Sequence, residues 1–146
     1  MSPNETIPVA LSAAERNVLQ HLLENFIHER VWEAVRGARG TVQLEEAAER
    51  VRRLAQLWEL TGYDDATMPT ADAAAHRADL IVWAMETEST TEELIGAIAD
   101  ADDSSRSPED RDSAIANARQ TIVTDYAHKS VCERIIVQID ALQAVA

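Results

Sequence analysis

The stretch Thr41–Leu60, TVQLEEAAERVRRLAQLWEL, decides the fold class. Its apolar residues Leu44, Ala48, Val51, Ala55 and Trp58 recur at spacings of three and four, flanked by Ala47 and Leu54. At about 100° per residue they form one stripe of a helix. The opposite side is Glu45, Glu46, Glu49, Arg50, Arg52 and Arg53. Glu46–Arg50 and Glu49–Arg53 stand four apart with the acid first, the orientation in which such pairs support a helix. Thr41 opens this helix and Gly62 stops it.

The same reading extends in both directions. Upstream, Ser12-Ala13-Ala14-Glu15 is a capping box. A helix follows to about Arg36, with Leu19, Leu22, Leu23, Phe26 and Ile27 on one face, and Gly37 and Gly40 end it. Residues 1–11, which carry Pro3 and Pro8, read as an irregular N-terminal arm, and residues 12–146 as a single helical domain. Downstream, a helix over about 71–87 turns Ala74, Ala78, Ile81 and Met85 inward. Thr90-Thr91-Glu92-Glu93 is a further capping box and predicts a separate short helix to about 101. Ser107-Pro108-Glu109-Asp110 starts the last helical stretch, with a cap, a proline at the first position and acids in the first turn. Its two apolar stripes, Ile115/Ala118/Ile122/Tyr126 and Cys132/Ile135/Ile136/Ile139/Leu142, are rotated by roughly a third of a turn. Together with Ser130-Val131-Cys132-Glu133, this predicts a kink or break near Lys129. The expected fold is all-α, a compact bundle of five or six helices with short connections.

Composition narrows the function. Net charge is −13, with Lys129 the single lysine. That balance disfavours direct contact with nucleic acid, which needs a basic stripe, and with an anionic membrane surface. The acids are concentrated: residues 63–146 are net −11 and residues 1–62 net −2, and Glu86–Asp112 holds ten acids against two arginines. Glu92, Glu93, Asp100, Asp102 and Asp103 form the patch expected to meet a basic protein surface. The lone Cys132 permits no internal disulfide and points to a reducing, cytoplasmic setting. No signal peptide is visible.

No catalytic or nucleotide-binding motif appears, and the expectation is a non-enzymatic interaction protein with no cofactor. Cys132 lies on an apolar stripe and reads as a buried structural thiol. His21, Glu24 and His28 share a helix face at metal-ligand spacing, but on the side away from the main apolar stripe, so no metal is assigned. Asp125-x-x-His128 is the one acid-first pair of the kind that metal-carboxylate bundles use. Asp72 and His76, four apart, read as a surface pair worth a few tenths of a kcal/mol, in which the carboxylate would raise the histidine pKa. Trp32, with His28 and Val35, and Trp83, with His76, put apolar bulk outside the main stripes. They are the residues expected at a partner interface, homodimeric or otherwise. A small-ligand or metal-binding bundle and an acidic decoy acting through residues 86–112 are the alternatives.

Overall fold

The computed structural model describes residues 5–62, 64–103 and 107–145, the side chains of 101–103 and 143–145 excepted. The chain is all-α apart from one small sheet. Strand β1 (Thr6–Pro8) pairs antiparallel with β2 (Thr67–Pro69), Ile7 opposite Met68. The segment expected to be an irregular arm therefore contributes to the core. Ile7, Val9 and Leu11 are all buried, the alternation a strand imposes on its inward face. Gln138 secures it, accepting from the Ala10 N–H at 2.7 Å and donating to the Ala10 carbonyl at 3.0 Å.

Helix α1 (Ala13–Leu22), a π-helical turn over Leu23–Ile27 and α2 (His28–Gly37) run end to end as one rod. Ser12 caps it with the expected box, its hydroxyl accepting from Glu15 N while Glu15 accepts from Ser12 N. The π turn explains which residues point inward. Leu19, Leu23, Ile27 and Val31 are all buried, at steps of four. In an uninterrupted α-helix such steps over-rotate by about 40° each, about 120° over the three. One π turn inserts one residue and takes back about 100° of that. Phe26, expected on the inner face, is consequently turned outward and 43% exposed.

Helix α3 (Gly40–Leu60) begins one residue before Thr41. Gly40 has φ +83°, a left-handed conformation that glycine adopts without strain. It reverses the chain onto α2. The buried face of α3 is Ala47, Leu54, Leu57 and Leu60, with Val51 and Trp58 half-buried. Leu44, Ala48 and Ala55, expected inward, are exposed.

A 3-10 turn (Thr70–Asp72) leads into α4 (Ala73–Asp103), which is followed by α5 (Pro108–Val145). Both are continuous, so counting the α1–α2 rod as one helix gives four among the described residues, not five or six. Thr90 caps nothing: its hydroxyl donates to the Glu86 carbonyl one turn back, and Thr91 does the same to Thr87. Ser130 lies in mid-helix, with no break near Lys129. Ser107 is the cap expected, accepting from Asp110 N.

The absence of a break has a geometric reason. In α5, Ala118, Asp125, Cys132 and Ile139 are buried at intervals of seven, as are His128 and Ile135. In α4 the inward-facing positions Ala73, Leu80, Thr87 and Leu94 repeat likewise, as do Ala84, Thr91 and Ile98. This is the repeat of a left-handed supercoiled pair. Against a straight 3.6-residue helix it drifts by about 20° per heptad. Over the roughly two and a half heptads between the two stripes, that drift supplies about 50° of the apparent rotation in α5. The rotation is smaller again because Asp125 is buried and Tyr126 exposed. Arg77–Asp140 and Lys129–Glu88 ion pairs span the two helices and fix their antiparallel register.

Candidate functional site

A buried polar group without a hydrogen-bond partner is costly, so each one marks a place where the fold has a special demand. His76 is wholly buried on α4. Ala74 and Met85, expected inward on this helix, are exposed, while Ala73, His76, Leu80 and Ala84 face the core. Alanine is small enough for either face, so the polar side of the predicted helix became its inner side. His76 Nε2 donates to Gln56 Oε1 at 2.6 Å, and Gln56 Nε2 donates to Asp72 Oδ2 at 3.0 Å. Arg52 completes the line with two hydrogen bonds to Asp72, at 2.9 and 2.7 Å. Arg52 and then Gln56 hold the Asp72 carboxyl well below the usual carboxylate range. The expected rise in the His76 pKa is reversed: burial pushes it down, outweighing the opposing charge of Asp72. Its Nδ1 has no partner among the described residues, so a proton there would lack an acceptor.

The second group joins α1 to α5. His21 Nδ1 lies 2.9 Å from Nε2 of the buried His128, and the rings are stacked with centroids 5.1 Å apart. Phe26 meets His128 edge-on at 5.2 Å. One proton suffices for the contact; two would set N–H against N–H. Burial and then the charge of His21 lower the His128 pKa to about 4. Asp125, one turn earlier, is buried with Oδ2 unpartnered among the described residues, and burial raises its pKa.

The residues singled out on the first helix do not converge. His21 faces His128, whereas Glu24 accepts from Gln20 Nε2 at 3.1 Å. His28 accepts from Trp32 Nε1 at 2.8 Å. No set of three or more metal-ligating side chains comes together among the described residues. Trp32 is 41% exposed and Val35 half-buried. His76 lies inside and presents nothing to an outside partner. Trp83 lies half-buried in the wall of a cleft that Trp32 does not line. Cys132 is buried, with its thiol pushed up to about 12 by that burial.

That cleft, about 420 Å³, opens between α2, α3 and α4. Ile27, Val31, Leu54 and Leu57, all buried core residues, form its apolar base beside Trp83. Charged groups form the rim. Arg53 binds Asp79 through Nε at 3.1 Å, and Arg30 pairs with Glu86. Arg50, also on the rim, makes no ion pair or side-chain hydrogen bond among the described residues. The Glu46–Arg50 pair expected from spacing is thus not formed. Glu49 reaches Arg53 only at 3.8 Å, having paired chiefly with Arg52. Sequence reasoning missed this site. The available signal was Arg50, Arg52 and Arg53 within four residues of a chain so poor in positive charge.

The acidic residues occupy a separate place. From Glu88 to Asp100 on α4, and from Ser107 to Thr124 on α5, Ala118 is the only buried residue. This half of the hairpin extends as an arm of about 24 Å, taking 1.5 Å per residue for the sixteen of Glu88–Asp103. Glu92, Glu93 and Asp100 are exposed along it. Asp102 and Asp103 continue α4, their side chains lying outside the described residues. Ile95 (57% exposed) and Val123 (70%) stand at about the same height on the two helices. No helix among the described residues is long and apolar enough to cross a membrane. The chain matches no known family, curated protein or solved structure.

Proposed function

We propose that this chain is a non-enzymatic protein–protein interaction module whose α4–α5 arm engages a basic, partly apolar surface on another protein. The observation that carries the reading is the arm. It keeps Glu88, Glu92, Glu93, Asp100, Glu109, Asp110 and Asp112 outward and exposes Ile95 and Val123, while its own buried surface is small. Apolar anchors ringed by charge are the usual composition of a binding surface. A second copy is the less suitable occupant of the arm, since ten acids against two arginines in Glu86–Asp112 would face their own kind.

The test is titration with an amphipathic leucine–lysine peptide. Binding is expected to weaken steeply with salt. The triple variant Glu92→Gln, Glu93→Gln, Asp100→Asn should bind more weakly, and so should Ile95→Ser. Glu59→Gln, an exposed acid on α3, should bind as the parent does. Equal binding by the arm and control variants would overturn the proposal.

A second reading rests on the face of the α1–α2 rod that exposes Trp32, with the half-buried Val35 one turn on. Self-association through that face is the homodimer version, and light scattering after size exclusion decides it. A monomer at all concentrations removes it.

A further inference from the structure

The cleft between α2, α3 and α4 runs against the acidity of the chain. In a chain of net charge −13, its rim carries three guanidinium groups against two carboxylates. Asp79 and Glu86 are each already matched by an arginine, Arg53 and Arg30 respectively. Arg50 is left without a carboxylate among the described residues. A guanidinium presents a planar fork of donors whose best complement is a carboxylate held by two parallel hydrogen bonds. Directly below the rim the surface changes character, because Leu54 and Leu57 belong to the hydrophobic core and Trp83 stands beside them. The volume, about 420 Å³, falls in the range of small-molecule sites.

We propose that this cleft binds a small organic monoanion, a carboxylate on an apolar body, with Arg50 and Arg53 holding the charged head and the Leu54, Leu57 and Trp83 surface taking the apolar part. Charge sets the sign of the ligand: a cation would meet one more arginine than acid, and each acid is already paired. The apolar base sets its form, since a fully hydrated anion such as inorganic phosphate would leave that surface unused. The cleft's lining ends at Glu86, short of the arm acids Glu92, Glu93 and Asp100, so its variants and the arm's variants test separate sites.

Octanoate is the probe, with octan-1-ol as its neutral counterpart, titrated into the full chain by calorimetry and by tryptophan fluorescence. Octanoate is expected to bind saturably, with octan-1-ol weaker by about tenfold or more. Arg50→Gln should weaken octanoate by a similar factor while leaving octan-1-ol unchanged. Arg50 is exposed, so this variant should keep the parent's thermal melt. Trp83→Phe should abolish the fluorescence response while calorimetric binding remains, locating the ligand in this cleft rather than near Trp32 or Trp58. The proposal is overturned by absence of saturable binding, by equal affinity for acid and alcohol, by an unaffected Arg50→Gln, or by a fluorescence response that survives in Trp83→Phe.

Discussion

At the scale of single residues, the most consequential feature is that His76, Asp125 and His128 lie in the interior, and their pKa shifts differ in sign. His128 is held near 4 in the folded chain, against an ordinary value of 6.5. Between those values the unfolded chain binds a proton that the folded chain does not. Stability is therefore lost as pH falls through this window, by an amount on the order of 3 kcal/mol when the window is fully crossed. His76 acts in the same direction, whereas Asp125, whose pKa is raised, opposes it. His128→Phe should thus flatten the dependence without abolishing it. Urea unfolding at about pH 7 and about pH 5 measures this, and equal stability losses in the variant and parent would refute the account. Cys132 gives a second prediction. Buried, with its thiol pushed up to about 12, it presents almost no thiolate near neutral pH. Labelling by a disulfide reagent should be slow in the folded chain and rapid in denaturant; fast native labelling would contradict its burial.

At the scale of elements, identical sequence signals have different outcomes, and substitution can separate them. Ser12 and Thr90 each head a capping box, but only Ser12 stands at a helix start. Ser12→Ala should cost about 1 kcal/mol. Thr90→Ala, removing only a bond to the preceding turn, should stay within about 0.5 kcal/mol. Comparable losses in denaturant titrations would mean that α4 breaks at residue 90 after all. Helix content and the Ser12 and Ser107 starts were legible because each depends on a few neighbouring residues. The inward faces of α3 and α4 were not, because alanine is admitted on either side and a partner had to decide. His76 illustrates this: nothing local shows that Gln56, twenty residues earlier, is placed to receive its N–H. The π turn was hidden for a related reason. It appears only as a steady four-residue spacing, Leu19 to Val31, that an α-helix would also carry approximately. The cleft was out of reach because its walls come from three helices whose packing order the sequence does not state.

At the scale of the whole molecule, burial is uneven along one continuous hairpin. The base of α4 and α5 packs against β1, the α1–α2 rod and α3, where His76, Leu80, Ile135 and Ile139 are fully enclosed. Toward the arm, past His128, which still meets His21 and Phe26, no side-chain hydrogen bond or ion pair among the described residues joins the two helices to the rest of the fold. An isolated helix pair of this length is marginal in water, since most helix stability comes from packing an apolar face. Its acids add mutual repulsion. Local opening should therefore cost least in the arm and most at the base. Amide hydrogen exchange is expected to be fast over residues 92–103 and 107–124 and slow over 76–84 and 131–139. Because part of the arm's instability is like-charge repulsion, raising salt should slow exchange in the arm far more than at the base. A basic partner bound to the arm should do the same by neutralising those charges and covering Ile95 and Val123. Uniform protection along α4 and α5, or protection in the arm that ignores salt, would show that the hairpin is one rigid unit. It would also remove the energetic reason for the arm to seek a partner.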